Sequence, residues 1–438
     1  MSCWSRSAAR HTVVAALALL AVTSGCADGG LDTAVPLSAE HVQRAISHRL
    51  ADAPPPPDPT NRVADDPAAA RLGQFLFFDK RLSGDGRFSC ASCHDPSKGF
   101  GDDRALGEAT GKLGRHTPSI YNTVYNRWFF WDGRADSHWS QALAPLEHPD
   151  EQAGDRLAFA HLVASDAPLR AAYEAIFGAL PDLSDSARFP ARGRPAPDDP
   201  GGALDTAWRG MSAADQKAID TIFVNLAKAI AAYERLIVAR DAPFDRFAAG
   251  LEDGDANKLA ALSASAQRGL RLFMGRANCW LCHTGPNFTD REFHNIATPE
   301  RPGVDPLDQG RFVGVDLVKG SPFNAASSFS DAPDGDAAKR LAFIIATEEH
   351  VGAFKTPSLR NIEKTAPYMH GGHYATLEDV IGHYSLLISP SSVGHREETL
   401  IPLALDADET ADLISFLKSL SGKPLAADLL SAPTSPSL

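Results

Sequence analysis

The segments "RLGQFLFFDKRLSGDGRFSCASCH" (71–94) and "QRGLRLFMGRANCWLCH" (267–283) decide the fold of this chain. Each has Gly, Leu and Phe upstream and ends in C-x-x-C-H, the attachment signature of a c-type haem. Two thiols three residues apart on one helical turn reach the two vinyl groups of a porphyrin, and the next imidazole turns onto the iron. The sequence therefore predicts two covalent c-type haems, held by Cys90, Cys93, His94, Cys279, Cys282 and His283.

Disulfides and a zinc site are the competing interpretations of these cysteines. Of the six cysteines, Cys3 and Cys26 belong to the leader, and the other four form two pairs that an exported protein could oxidise. A zinc site would need both pairs folded onto one ion. Neither alternative explains why a histidine directly follows each pair.

The similarity between the two segments recurs after about 190 residues, which indicates two haem domains rather than a short repeat array. Helical apolar spacing, as in 212–238, occurs without comparable period-two alternation, so we predict a mainly α fold with two cytochrome c-like domains and long loops. A linker is expected around 238–256. The predicted ranges are a signal peptide at 1–26, a flexible segment at 27–60, an N-terminal haem domain at 61–245, a C-terminal haem domain at 246–425 and a disordered tail at 426–438.

Composition limits the possible partners. The 438 residues exceed the roughly 250–300 at which a single core stops growing. The hydrophobic fraction of 44% and the charged fraction of 22% are ordinary for a globular protein. The net charge is −13 and no dense Lys/Arg run occurs, which argues against nucleic acid, because a polyanion needs a basic face.

The N-terminus has the pattern of a targeting segment. Arg6 and Arg10 precede the apolar run "TVVAALALLAV", which is too short to span a bilayer comfortably, and small residues lead to Cys26. We expect export to the periplasm with cleavage near Cys26. A lipid anchor on Cys26 is the alternative, although Thr23 stands where such signals usually have Leu.

The stretch "HGGHYATLEDVIGHYS" (370–385) supplies several candidate metal ligands. Thr376 and Asp379 predict a capping box at the start of a helix, on which Leu377, Val380, Ile381 and Tyr384 share one apolar face. His383 is turned about 100° away from Tyr384, and His370 and His373 precede the helix in a Gly-rich loop. Tyr384 is thus the one polar-tipped residue on the buried face, where a packed core tyrosine is the other interpretation.

The chain resembles the bacterial di-haem cytochrome c peroxidase / MauG family over nearly all of the mature sequence. The resemblance is carried by both haem motifs and by three further blocks in the family's order: "HTPSIYNTVYNRWFFWDGRADSHWSQALAPLEHPDE" (116–151), "AAYERLIVARDAPFDRF" (231–247) and "FKTPSLRNIEKTAPYMHGGHYATLEDVIGHY" (354–384). It implies two helical domains with one haem each and a peroxide-reactive site at the N-terminal haem.

The resemblance also implies catalytic residues. Glu151 corresponds to the acid–base group that moves a proton between the two peroxide oxygens, with Gln141 and Pro145 shaping the pocket. Trp131 corresponds to the tryptophan between the haems, which can relay electrons. An exposed loop carboxylate is the alternative for Glu151, and the nearby His148 is expected to be a loop histidine.

The second iron takes a Met in the family's peroxidases and a Tyr in MauG-like members, and the family register places Tyr384 at that position. Met369 and His373 are the alternatives. A thioether stabilises ferrous iron and raises the potential, whereas a phenolate stabilises oxidised iron and lowers it. The chain therefore resembles MauG-like members more closely.

The family also binds a calcium ion between the domains, and backbone carbonyls of Thr365 and Pro367 would be its ligands here. The family's Asn ligand is replaced by His116, which is a poor ligand for calcium. We expect His116 on the interdomain surface. The loop 105–115 lacks the histidine that caps the resting active-site iron in some peroxidases, so an open site is expected.

Three functions remain in competition. The first is a MauG-like enzyme that reacts with hydrogen peroxide at the N-terminal haem and uses a high-valent di-haem state to oxidise a Trp or Tyr residue of a partner protein. The second is a peroxidase that takes electrons from a small cytochrome or cupredoxin. The third is a non-catalytic electron carrier, which would not need the acid–base residues Gln141 and Glu151.

Overall fold

The computed structural model describes residues 34–438, so the predicted signal peptide and Cys26 lie outside the described residues. The predicted mainly α fold is confirmed, because within this range the only sheet is one antiparallel pair of two-residue strands. The elements are α1 (Ala39–Ser47), α2 (Pro67–Phe78), α3 (Cys90–Cys93), α4 (His138–Glu147), α5 (Arg156–Ser165), α6 (Ala167–Phe177), α7 (Ala203–Arg209), α8 (Ala213–Glu234), α9 (Pro243–Asp253), α10 (Ala256–Leu259), α11 (Ala264–Met274), β1 (Phe293–His294), α12 (Arg311–Gly320), α13 (Asp336–Phe343), β2 (Phe354–Lys355), α14 (Leu377–Leu386) and α15 (Ala407–Lys418).

The first core forms around α8, which packs against α2, α4 and α5. Ser212 caps α8 by accepting a hydrogen bond from the Asp215 backbone N–H at 3.2 Å. The apolar positions at helical spacing are buried as the sequence predicts, and Tyr233 at the end of the row is fully buried. Gly73 lets α2 approach closely, since a Cβ at this position would lie 1.8 Å from the Ala229 carbonyl oxygen.

The second core forms where α11 packs on α15. Phe244, Phe273, Phe288 and Phe416 are fully buried there, and the rings of Phe273 and Phe416 lie 5.0 Å apart. Aromatic side chains bury large apolar areas, so this cluster supplies much of the driving force for the second domain. The chain 279–288 that carries the second haem motif is anchored to the cluster through Phe288.

The domain boundary and the N-terminal segment differ from the predictions. The predicted linker 238–256 contains α9, and Asp245 accepts two hydrogen bonds from the buried guanidinium of Arg360, at 2.8 and 2.9 Å. The segment predicted as flexible at 27–60 contains α1, whose Ala45 is fully buried in the second core. The second domain therefore begins before residue 245 and also includes the first described helix.

The tail predicted as disordered at 426–438 packs on the first domain, which corrects that prediction. The Tyr233 hydroxyl donates to the Leu429 carbonyl at 2.5 Å, and Arg71 Nε donates to the Ser435 carbonyl at 2.9 Å. Segment 311–345 also crosses between domains, because Phe323 is buried in the first core and Lys228 pairs with Asp331 at 2.6 Å.

No helix within residues 34–438 is both long enough and apolar enough to cross a membrane. The predicted export signal and the alternative lipid anchor both depend on the preceding residues and stay predictions.

Candidate functional site

A cavity of about 870 Å³ lies between the two domains and is lined by residues of both C-x-x-C-H motifs. This volume is at the upper end of the roughly 300–1,000 Å³ typical of ligand pockets. Most of the residues that the sequence singled out line this one cavity: Cys93, His94, Trp131, Gln141, Pro145, Glu151, Cys279, Cys282, His283, Thr365, Pro367 and Tyr384.

The two motif histidines are oriented in the same way. His94 Nδ1 lies 3.1 Å from the Phe100 carbonyl oxygen, and His283 Nδ1 lies 3.0 Å from the Phe288 carbonyl oxygen. A histidine that donates from one ring nitrogen to a backbone carbonyl presents the other nitrogen to a metal. Each Nε2 is therefore free to bind an iron.

The four described cysteines are free thiols, so the disulfide interpretation fails. Burial raises the pKa of Cys90 to about 12 and that of Cys93 to about 11. The zinc interpretation also fails, because the one cluster of potential ligands within residues 34–438 is Cys282, Asp290 and His294. It contains a single cysteine of one pair, so the two pairs do not converge on one ion.

The cavity also has a half-buried cation that would bind an anionic cofactor. Burial lowers the pKa of Lys355 to about 8, and its ammonium has no hydrogen-bond or ion-pair partner in the described chain. A haem brings two propionate carboxylates, which would offset this desolvation cost. With two thiols and one free Nε2 per motif, the residues present fit two haems. Sequence reasoning missed Lys355, although it directly precedes the "TPSLRN" block.

The first-domain wall of the cavity carries the predicted acid–base residues. Gln141 and Pro145 lie on α4, which Ser137 caps by accepting from the Ser140 N–H at 3.3 Å. Glu151 follows this helix, and its backbone carbonyl accepts from the Thr110 N–H and hydroxyl, at 3.2 and 2.8 Å. The Glu151 carboxylate is thus presented to the cavity from a fixed backbone.

His148 also reaches the cavity rim, with Nδ1 at 3.9 Å from Glu151 Oε1. Its side chain is 44% exposed, compared with 21% for Glu151. The position agrees with the expected loop histidine. Glu151 is the more enclosed of the two groups.

A buried pair on the same wall was missed by sequence reasoning. His138 Nε2 lies 2.6 Å from Glu234 Oε2, and both side chains are about 95% buried and line the cavity. The two atoms are close, but their angles do not meet those of a hydrogen bond, so Glu234 Oε2 has no hydrogen-bond partner. Phe129 stacks on the His138 ring at 5.0 Å. The pair joins α4 to the end of α8, so no local sequence pattern reveals it.

Trp131 lies where the two domains meet. Its Nε1–H donates to the His116 carbonyl at 2.8 Å, and its own carbonyl accepts from the Lys355 backbone N–H at 2.7 Å. The indole is therefore fixed between residues of the first and second domains and lines the cavity. This position is compatible with the predicted relay between two haems.

The second-domain wall is formed by α14, and the predicted capping box between Thr376 and Asp379 is confirmed. Leu377, Val380, Ile381 and Tyr384 line the cavity together. Tyr384 lines the cavity together with Cys279 and Cys282 of the second motif, and burial raises the pKa of its phenol.

The histidines near α14 are less available than Tyr384. His383 is buried, with Nδ1 at 3.0 Å from the Tyr374 hydroxyl and Nε2 at 2.9 Å from the Ile296 carbonyl. His370 lines the cavity but stacks on Phe354 at 3.6 Å, and burial lowers its pKa to about 3. His373 lies outside the main cavity, in a small adjoining pocket.

Met369 lines the cavity and remains the alternative ligand that the geometry allows. Its backbone φ is +69°, in the left-handed region that non-glycine residues rarely adopt. The loop therefore holds Met369 in a specific conformation at the start of the Gly-rich turn.

His116 is buried and lines the cavity between the two domains, in agreement with the expected interdomain position. Its Nδ1 lies 2.8 Å from the Arg104 carbonyl, and its backbone N–H donates to the His370 carbonyl at 2.7 Å. The imidazole already has a partner in the first domain. Calcium binding by Thr365 and Pro367 stays a prediction.

Comparisons with known proteins identify the family. The di-haem cytochrome c peroxidase family profile matches residues 67–253. The chain is 32% identical over 401 residues to the cytochrome-c peroxidase IdrP2 of Pseudomonas sp. (strain SCT), covering 90% of this chain and 91% of that protein. It is 32% identical over 379 residues to the methylamine utilization protein MauG of Methylorubrum extorquens. This match covers 84% of this chain and 82% of that protein.

Among solved structures, the fold is similar to that of a MauG-like protein associated with microbial copper homeostasis. The TM-score is 0.60 at 26% identity, over 88% of this chain and 99% of that one. The fold class, the paired motifs and the relatives agree. The chain belongs to the di-haem cytochrome c peroxidase family and is a haem-dependent oxidoreductase with two c-type haems.

Proposed function

We propose that the protein reacts with hydrogen peroxide at the N-terminal haem, the one that His94 would bind. Like MauG, it would then remove electrons from a Trp or Tyr side chain of a partner protein. The observation that carries this proposal is Tyr384, whose phenol lies on the second-domain wall beside Cys279 and Cys282. A phenolate ligand would favour oxidised iron at the second haem.

When bound, the two haems supply the redox chemistry, and the residues of the chain supply the proton transfers and the geometry. Glu151 would accept the proton of one peroxide oxygen and return it to the other oxygen, which leaves as water. Gln141 and Pro145 form the wall beside it and limit how peroxide can lie. The Nδ1–H of His94 donates to the Phe100 carbonyl and holds the ring in place.

Trp131 would connect the two halves of the cavity. Its hydrogen bond to the His116 carbonyl and the contact of its own carbonyl with Lys355 fix the indole at the domain boundary. A fixed aromatic ring between two redox groups shortens the gap that an electron must cross. This supports sharing of oxidising equivalents between the domains.

A cytochrome c peroxidase that takes electrons from a small cytochrome or cupredoxin is the second candidate. Met369 favours it, because a thioether is also present on the cavity wall. A non-catalytic electron carrier is less well supported, since the placement of Gln141 and Glu151 on one wall serves proton transfer to a substrate.

Addition of hydrogen peroxide to the all-ferric holoprotein tests the proposal. A MauG-like protein should show a long-lived change in its visible spectrum without prior reduction. If the spectrum changes only after one haem has been reduced, and a ferrocytochrome is then consumed, the second candidate is correct. Glu151→Gln is the matched control and should slow the spectral change in either case.

The cellular setting is part of the proposal. We infer export to the periplasm from the leader at 1–26, with lipid attachment at Cys26 as the alternative to plain cleavage. A calcium ion held by Thr365 and Pro367 would stabilise the domain boundary. Its removal by a chelator should then lower the midpoint of thermal unfolding.

A further inference from the structure

A small apolar cluster lies at the surface where three distant segments meet. We call it the Trp128 cluster; it consists of Trp128, Val318 and Leu341, which are buried, and Phe293 and Ile344, which are partly buried. The guanidinium of Arg311 lies 4.3 Å from the Trp128 ring and 4.2 Å from the Phe293 ring, and it donates to the Gly133 carbonyl at 2.8 Å. The cluster is therefore a rigid platform.

Three arginines are close in sequence to members of this cluster. Arg127 directly precedes Trp128, Arg340 directly precedes Leu341, and Arg291 lies two residues before Phe293. In the described chain none of the three guanidinium groups has a hydrogen bond or an ion pair. Burial lowers the pKa of Arg291 and Arg340, and the charge of Arg127 lowers both further, while nearby carboxylates, Glu292 beside Arg291 and Asp336 beside Arg340, act in the opposite direction.

Exposed apolar side chains flank the arginines. Phe343 is 84% exposed and Ile345 is 66% exposed, on either side of the cluster member Ile344. Arginine and aromatic side chains are enriched in the energetically important parts of protein interfaces. Three arginines without an ion pair, near an exposed Phe, form a positively charged and partly apolar surface on a chain whose net charge is −13.

The same surface continues to the mouth of the haem cavity. Leu317, on α12 one residue before Val318, is 49% exposed and also lines the cavity. Phe130, two residues after Trp128, lines the cavity as well, with the Arg134 guanidinium 3.6 Å from its ring. A protein seated on this surface would be next to the redox site.

We propose that Arg127, Arg291, Arg340 and Phe343 form the docking surface for an acidic redox protein. The choice of an acidic partner follows from charge complementarity. An acidic protein is repelled by most of this acidic chain and attracted here, so the arginines direct it to the cavity mouth. The inference rests on the proposed function, because in both of its forms electrons pass from a docked protein to the haems.

The test uses the holoprotein with two reduced c-type cytochromes, one acidic and one basic, and hydrogen peroxide. Each peroxide takes two electrons, one from each of two ferrocytochromes, and two protons from solvent to give two waters. The Arg127→Gln/Arg291→Gln/Arg340→Gln variant should lower kcat/KM for the acidic cytochrome at least 10-fold at low ionic strength, and the difference should shrink at high salt because exposed charges are screened.

A matched control removes the same charge elsewhere. Lys80, Lys217 and Lys418 are exposed and form no ion pair in the described chain, so the triple Lys→Gln variant should stay within two-fold of wild type. Phe343→Ser tests the apolar part and should lower kcat/KM several-fold without changing its salt dependence. All variants should keep the spectral response to peroxide measured without cytochrome.

An equal loss of kcat/KM for the acidic cytochrome in the arginine and lysine variants would overturn the proposed docking surface. A higher wild-type kcat/KM for the basic cytochrome would overturn it as well. A wild type that responds to peroxide but neither binds nor oxidises the acidic cytochrome would overturn it too. Failure of the proposed function has a different signature: the wild-type spectrum would then not respond to peroxide, whether or not a haem had been reduced.

Discussion

The two walls of the haem cavity differ in their chemistry. The first-domain wall is rich in groups that exchange protons or form hydrogen bonds, whereas on the second-domain wall α14 presents aliphatic side chains around a single phenol. The first set is Gln141, Glu151, His138 and Glu234, and the second is Leu377, Val380, Ile381 and Tyr384. A wall that handles protons suits peroxide, and the apolar face of α14 with its one phenol suits storage of charge without proton exchange.

The largest predicted effect is that of Tyr384→Met, which gives the second-domain wall the methionine that the family's peroxidases have. Tyr384→Met should raise the reduction potential of the second haem by on the order of a few hundred millivolts, within the roughly 0.8 V range that axial ligands cover. The reason is that a thioether stabilises ferrous iron, whereas a phenolate stabilises ferric iron. Potentiometric titration of the holoprotein, followed by its visible spectrum, measures the change.

Tyr374→Phe is the matched control for this experiment. Tyr374 bonds His383 at 3.0 Å and does not line the cavity, so its removal should leave the potential nearly unchanged. If Tyr384→Met also left both potentials unchanged, Tyr384 would be a packed core tyrosine, and Met369 would become the leading ligand.

The second prediction tests the proton-handling wall. Glu151→Gln keeps the shape of the side chain but removes its acid–base function, so the spectral response to peroxide should slow by about 10²–10⁴-fold. Stopped-flow mixing of the ferric holoprotein with peroxide measures this rate. His148→Gln should change the rate no more than a few-fold. If His148→Gln slowed the response more than Glu151→Gln did, the acid–base role would belong to His148.

The features that sequence reasoning placed correctly depend on local patterns. The capping box of Thr376 and Asp379 lies within four residues, and the two haem motifs each lie within five. Such patterns need no knowledge of the tertiary structure. Helical periodicity puts Tyr384 on the apolar face of that capped helix, the family resemblance implies its role as a ligand, and the structure brings it to the same cavity as Glu151.

The features that were missed join distant segments. The tail at 426–438 contains two prolines and no predicted regular element, yet its backbone carbonyls accept hydrogen bonds from Gln74 and Tyr233. Likewise, His138 and Glu234 are 96 residues apart, and neither predicts the other. Burial of a polar group requires a partner, and single-sequence patterns cannot name a partner that the fold supplies.

The third prediction concerns this buried pair, which has no counterpart among the side chains that α14 presents to the cavity. His138→Leu leaves the Glu234 carboxylate buried without its imidazole partner and should lower the free energy of unfolding by about 3–5 kcal/mol. Adding Glu234→Leu should recover much of the loss, because two apolar side chains replace two polar ones. Denaturant unfolding of the holoprotein followed by circular dichroism provides the measurement.

An exposed ion pair provides the reference for that result. Arg170 and Glu174 are spaced i, i+4 on α6 with 3.0 Å between Nε and Oε1, and Arg170→Ala should cost no more than about 0.5 kcal/mol. If the double variant lost as much stability as the sum of its two single variants, the His138–Glu234 contact would contribute nothing as a pair.

The smallest predicted effect comes from Asp136, a buried acid of the first domain that forms no ion pair in the described chain. Asp136 is 5% exposed and accepts from the Ala325 N–H, at 2.9 Å to Oδ2, and burial raises its pKa to about 6. Between pH 4 and pH 6 the folded protein therefore keeps a proton that the unfolded chain has released. Stability should fall as the pH rises through this range, by up to about 3 kcal/mol relative to Asp136→Asn.

The free energy of unfolding, measured against pH for wild type and Asp136→Asn, tests this prediction, and parallel curves would contradict the raised pKa. Asp316→Asn, on the exposed side of α12, is the control and should follow wild type throughout.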